Sequence, residues 1–179
     1  MTPKATVRCL QCVLVISLLI GCSPIETSQD FTLPPTSQPT TDSSDLDNAQ
    51  TTLVAFFSYL SAGEYSQALE LYGGPEDQFE ALRRNNPSVD PEDKAALFDA
   101  GCTYQYLCLT IKDVVQAEQI SATDFHFVVH FANPDGSLFV LGPCCGADET
   151  EMPPVSEFEY QVVKVDDQFL VIGDLLYVP

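Results

Sequence analysis

Between Thr123 and Ala132 the chain alternates with a period of two: Phe125, Phe127, Val129 and Phe131 share one face, and Asp124, His126, Val128 and His130 share the other. Such a strand has to bury its aromatic face, and the apolar stripes able to cover it come earlier in the chain. Ala49, Leu53, Phe56, Phe57 and Leu60 recur at helical spacing, with Asp47 and Gln50 placed as a capping pair and Gly63 as a stop. Tyr65, Ala68, Leu69 and Tyr72 make a second stripe, ended by Gly73 and Gly74. Pro75 suits the first position of a third helix, with Glu76 and Asp77 early and Arg83 and Arg84 late, as the helix dipole favours. Asp90, Pro91 and Glu92 open a fourth, which Gly101 closes. After Gly101 the period changes. Tyr104–Ala117 reads as a strand whose alternation slips near Lys112 and Asp113, the mark of a bulge. A turn at Asn133–Gly136 leads to a strand at Ser137–Leu141, a Pro/Gly/Cys loop spans Gly142–Pro154, and a hairpin over Val155–Asp174 turns at Asp166 and Asp167. Helices followed by antiparallel strands predict an α+β domain, with N-terminal helices packed on one face of a curved antiparallel sheet.

The N-terminus predicts a compartment. Lys4 and Arg8 precede a mostly apolar run from Val13 to Ile20, the pattern of an export signal over residues 1–22. That run is well short of the ~20 residues a membrane-spanning helix needs. It ends in Leu19, Ile20, Gly21 and Cys22, which resembles the lipobox of bacterial lipoproteins. The resemblance implies cleavage before Cys22, lipid on its thiol, acylation of the new amino terminus and an extracytoplasmic, membrane-anchored protein. The bland reading is an ordinary secretory signal or a short anchor whose Cys22 is incidental. Between Ser23 and Asp47, 14 of 25 residues are Ser, Thr or Pro. Such a segment cannot bury enough apolar surface to offset chain entropy, so residues 23–47 read as a disordered tether with a reach of roughly 75–80 Å at ~3.1 Å per residue. Residues 48–179 read as one folded domain.

Within that domain "LVAFFSYLSAGEYSQALELYGG" is similar to the paired opening helices of the NTF2-like superfamily, the cystatin-like cones that include SnoaL-like and ketosteroid-isomerase-like proteins. "FEYQVVKVDDQFLVIGDLLYV" is similar to that family's last hairpin. The resemblance covers most of residues 48–179 and implies a cone whose sheet lines a pocket. It departs from the usual pattern where Asp167 and Phe169 stand in place of Gly and Trp, and in the Cys-rich loop. It implies a fold more than an activity, because this scaffold hosts many unrelated functions.

Charge excludes one class of partner. The chain has 26 acids against 7 Lys and Arg, a formal charge of −19, and two of the cations leave with the signal. Phosphate recognition needs a basic surface, so nucleic acid is not a partner.

Four cysteines remain after the signal and Cys22. Cys102, Cys108, Cys144 and Cys145 are an even count in an exported domain, which favours two disulfides. The reading preferred here links the 102–108 segment to the loop by two bridges, in either register. Four thiolates would also suffice for zinc, but adjacent ligands at 144 and 145 chelate poorly and no C-x₂₋₄-C pair exists. A redox pair lacks its C-x-x-C.

Chemistry-bearing side chains are sparse. His126 and His130 sit on a strand, where four residues span ~13 Å, too far for one metal ion. Asp124 and His126 share a face and would form an acid–base pair if that face lined a pocket. Tyr59, Tyr65, Tyr72, Tyr104 and Tyr106 are candidates for pocket hydroxyls. Asp148, Glu149 and Glu151 form an acidic loop without a calcium-binding pattern. No nucleophile elbow, phosphate loop or Cys–His arrangement is present, and no cofactor or metal is implied. Three functions follow: a non-catalytic, lipid-anchored binding or accessory domain for a small molecule or a protein; a small-pocket isomerase or hydratase using Asp124 and His126; or an envelope assembly partner whose acidic surface meets a cationic protein. Asp124 and His126 pointing into an enclosed pocket would favour the enzyme. An interior filled by Phe and Tyr would favour the assembly partner.

Overall fold

The computed structural model of the chain describes residues 43–177. The signal segment, Cys22 and the tether up to residue 42 lie outside the described residues. Four helices come first: α1 Ser43–Ala62, α2 Tyr65–Glu70, α3 Glu76–Asn85 and α4 Lys94–Tyr104. Four strands follow, β1 Thr110–Gln119, β2 Asp124–Ala132, β3 Phe158–Val165 and β4 Gln168–Ile172, forming an open antiparallel sheet in sequence order. This is the α+β arrangement of helices on a sheet.

The alternation in β2 sets which face is covered. Phe125, Phe127, Val129 and Phe131 are all 0% exposed, and they meet Ala49, Leu53, Phe56, Phe57 and Leu60 from α1 in one core cluster. Phe158, Tyr160 and Val162 of β3 and Val171 of β4 complete the buried sheet face. Each such side chain contributes roughly 1.5–3 kcal/mol through removal from water. The expected slip in β1 is a bulge. The register jumps from Ile111↔Phe131 to Asp113↔His130, and a second irregularity follows between Val114 and Gln116. The extra residue at Lys112 lets Asp113 fall opposite His130.

Local signals close the elements. Gly63 ends α1 at φ +76°, a left-handed conformation that suits a residue without Cβ. In α3, Glu76 binds both Arg83 and Lys94 at 2.8 Å, and these two bonds, the Lys94 bond first, hold its carboxyl below the usual range. Asp166 and Asp167, at φ +49° and +64°, turn the β3–β4 hairpin, with both central residues left-handed as a two-residue loop of this twist requires.

Several boundaries move. α1 starts at Ser43, so residues 43–47, read as tether, are helical, and Asp47 is an interior helix residue whose carbonyl accepts the Thr51 hydroxyl instead of capping. Asp45 explains the extension: it holds Lys164 of β3 at 2.8 Å, fastening the first turn to the sheet. α4 starts after its cap Asp93, which accepts the Ala96 N–H, and runs past Gly101 to Tyr104. Gly101 is a packing residue and not a stop, because a Cβ there would come within 2.9 Å of Leu82 and Tyr106. β1 accordingly starts at Thr110 and not at Tyr104. The strand expected at Ser137–Leu141 is reduced to single bridges, Ala132↔Leu138 and Leu141↔Val155.

Candidate functional site

Between the helices and the covered face of the sheet, aromatic rings fill the space. Phe57 meets Phe131 at 4.9 Å and Tyr160 at 4.7 Å, and Phe56 stacks on Tyr72 at 5.6 Å. Phe98 joins Tyr72 and Phe79 at 5.4 and 5.2 Å.

No helix among the described residues packs on the opposite sheet face. Strand register brings Glu118 beside His126 and Asp113 beside His130 from β1, and Gln161 and Glu159 beside His126 and Val128 from β3. His130 Nδ1 lies 2.6 Å from Asp113 and its Nε2 3.9 Å from Glu157, while His126 Nε2 lies 3.8 Å from Glu159. None of Asp113, Glu118, Asp124, Glu157 and Glu159 has a Lys or Arg partner among the described residues. The face is therefore acidic, with two imidazoles set among carboxylates around Val128. The rim hydrophobics Val163, Leu170 and Ile172 are half-buried on the same side.

Asp124 and His126 share this outer face and not an enclosed pocket. Asp124 takes hydrogen bonds from Ser121 at 2.6 Å, from Thr123 at 3.2 Å and from Gln161 at 3.2 Å. These donors, Ser121 foremost, hold its carboxyl below the ordinary aspartate range. A carboxylate so stabilised is a weak base, and its partners are not His126. None of three clefts, of about 340, 370 and 320 Å³, is lined by either residue.

The tyrosines disperse. Tyr106 lines the 340 Å³ cleft, Tyr104 is 77% exposed, and Tyr59, Tyr65 and Tyr72 pack against the core. Asp148 accepts the N–H groups of Thr150 and Glu151, so the acidic loop uses it to fix its own turn. No group of three or more His, Cys, Asp or Glu among the described residues is placed to hold a metal ion.

The cysteine pairing is corrected. In place of two bridges to the loop, Cys102 and Cys108 bond to each other, with Cα atoms 5.5 Å apart. Cys102 sits in the last turn of α4, not in a strand, and the chain reverses to bring Cys108 back to it. Cys144 and Cys145 are free thiols with sulfurs 2.7 Å apart, in a loop that turns left-handed at Cys145 and Gly146.

Two features escaped the sequence reading. The carboxylates around the histidines were legible one strand at a time, since Glu159 and Gln161 alternate with Phe158 and Tyr160, but their assembly depends on register and on the Lys112 bulge. Gln78, buried at 6% exposure, had no sequence signal at all. No helix among the described residues is long and apolar enough to cross a membrane. Comparison with family models, with curated proteins and with solved structures returns no match.

Proposed function

We propose that this is a lipid-anchored, extracytoplasmic, non-catalytic domain that acts as an assembly partner, docking a cationic protein on its outer sheet face. The observation that carries this reading is the division between the two sides of the sheet: rings occupy the interior, and carboxylates without Lys or Arg partners among the described residues occupy the exterior. The domain is a filled variant of the NTF2-like cone on this reading, with Phe57 and Tyr160 standing where a ligand would sit. A cationic surface laid over Asp113, Glu118, Glu157 and Glu159 gains complementary charge that speeds encounter and fixes orientation. Val128 supplies an apolar centre for that contact. The isomerase reading loses ground because Asp124 is a weak base and faces away from the packed interior.

The anchor is the Cys22 lipid. Acyl chains at ~0.8 kcal/mol per buried CH₂ hold a protein on a bilayer that its own acidic surface avoids. Fractionation tests this part: the Cys22→Ala chain is expected in the soluble extracytoplasmic fraction and the unaltered chain with the membranes. Retention of the altered chain in the membrane fraction would refute the anchor.

A further inference from the structure

Cys144 and Cys145 are neighbours in the chain, and neighbours in an extended segment point to opposite sides. Here they do not. Cys145 takes φ +62°, a left-handed conformation uncommon for a residue with a side chain, and Gly146 follows at φ +93°. The reversal brings the two sulfurs to 2.7 Å, a short step from the about 2.0 Å of a disulfide bond. The backbone around them is held. The Ala147 N–H donates to the Cys144 carbonyl at 3.0 Å, and paired bonds between Leu141 and Val155, at 2.8 and 2.9 Å, close the base of the loop. A C-x-x-C spacing brings two thiols together across a helical turn; left-handed backbone does the same for adjacent ones, so the missing spacing does not argue against exchange chemistry.

The two thiols are unequal. Cys145 is exposed and Cys144 is half-buried. Cys144 also keeps its proton more tightly than an ordinary thiol, first through its hydrogen bond with Cys145 and then through burial and the charge of Cys145. The exposed sulfur is therefore the one an incoming molecule meets, and the half-buried one is placed to act second. Charge narrows what that molecule is. Asp148 stands three residues after Cys145, within about 11 Å even at full chain extension, and the Glu151 carboxylate accepts the Asp148 N–H at 3.4 Å. Glu149 lies between them in the chain. None of the three has a Lys, Arg or His partner among the described residues. An approaching molecule is favoured here if it is cationic.

We propose that Cys144 and Cys145 form a thiol–disulfide exchange site for a disulfide carried on a cationic molecule. The Cys145 thiol gives its proton to water and its sulfur attacks R–S–S–R′. The S–S bond breaks, R′S⁻ leaves and takes up a proton, and Cys145 is left in a mixed disulfide with RS. Cys144 then loses its proton to water and attacks the Cys145 sulfur, releasing RS⁻, which is protonated in turn, and closing the Cys144–Cys145 bond. The pair gives up two electrons and two protons, and the disulfide becomes two thiols. An exposed disulfide is of the labile kind, so excess thiol reopens the pair by the same steps in reverse. The site shares no residue with the outer sheet face, so it and the docking proposal stand or fall separately.

The test treats the full chain in detergent, in its dithiol form, with cystamine, a cationic disulfide, or with anionic glutathione disulfide, then quenches in acid and alkylates. The tryptic peptide 113–164 carries these two cysteines and no others. After cystamine it is expected unalkylated and lighter by two hydrogens than the dithiol form. Excess cysteamine, the matching thiol, should return it to the dialkylated form, with Cys102–Cys108 intact throughout. Cys144→Ser should stop at the mixed disulfide, holding cysteamine on Cys145 at least about tenfold above the level in the unaltered chain. At low salt the rate preference for cystamine over glutathione disulfide should exceed that of dithiothreitol at least about threefold, and about 1 M salt should remove the excess. Cysteamine retained on both thiols of the unaltered chain, a peptide dialkylated at every cystamine concentration, or a preference no larger than that of dithiothreitol would each overturn the proposal.

Discussion

Tyr160 is 5% exposed, between the ring of Phe57 and that of Phe131, and burial pushes its phenol well above the ordinary value. Tyr72 is raised as well, by burial first, and Lys164 is raised chiefly by its bond to Asp45. All three hold their protons more tightly folded than unfolded. Their contribution is therefore complete below the unfolded values near ~10, and it is lost as pH climbs toward the higher folded values. Stability should fall steeply above about pH 10. For Tyr160 the loss approaches about 1.4 kcal/mol for each pH unit in that window. Tyr160→Phe keeps the ring and removes the proton, so denaturant titrations at neutral and alkaline pH should show a smaller alkaline loss in that variant. An alkaline loss unchanged by Tyr160→Phe would contradict the assignment. Asp124 works in the opposite direction: its carboxyl is held low by Ser121, Thr123 and Gln161, so what it adds is present above the unfolded aspartate value and is lost on acidification.

Between elements, the pairing of α4 with the approach to β1 depends on Cys102 and Cys108. They are six residues apart, and closing so small a loop stabilises the fold by about 2 kcal/mol in the chain-entropy account. Peptide mapping of the unreduced protein is expected to recover Cys102 linked to Cys108, with alkylation confined to Cys144 and Cys145. The Cys102→Ser, Cys108→Ser chain should lose about 2 kcal/mol in denaturant unfolding. A cross-link from either residue to the 142–154 loop would contradict the local pairing. This pairing also marks where sequence reading stops. β2 was legible because its alternation and its burial coincide, and the hairpin was legible because Asp166 and Asp167 tolerate left-handed backbone. The start of α1 was not, because Ser43, Ser44 and Asp45 resemble the tether before them, and their helical state rests on Lys164, 119 residues away. Gly101 misled in the same way: a glycine that usually ends a helix is here required by Leu82 and Tyr106 crossing it. On the site, the two histidines and Asp124 were visible in sequence, but the face they occupy was decided by which side α1 covers.

Across the whole molecule, charge and anchor form one argument. Residues 48–179 carry 21 acids against 5 bases. Such a domain is repelled by anionic headgroups, so on the proposed reading it is held by lipid and reaches its partner through complementary charge. Surface attraction of this kind is screened over ~10 Å at 0.1 M salt, which makes the docking salt-sensitive. The central claim is that the outer sheet face, and not the helix face or the interior, meets the partner. It is tested most directly by placing a photo-crosslinking residue at Val128, in the centre of the outer face, and separately at Glu80 on α3, in the full chain. The account predicts one dominant cross-linked protein from Val128, carrying a basic surface and lost at raised salt or in the Glu118→Lys, Glu159→Lys background, with no such product from Glu80. Capture from Glu80 instead, or a Val128 product that survives charge reversal, would contradict it.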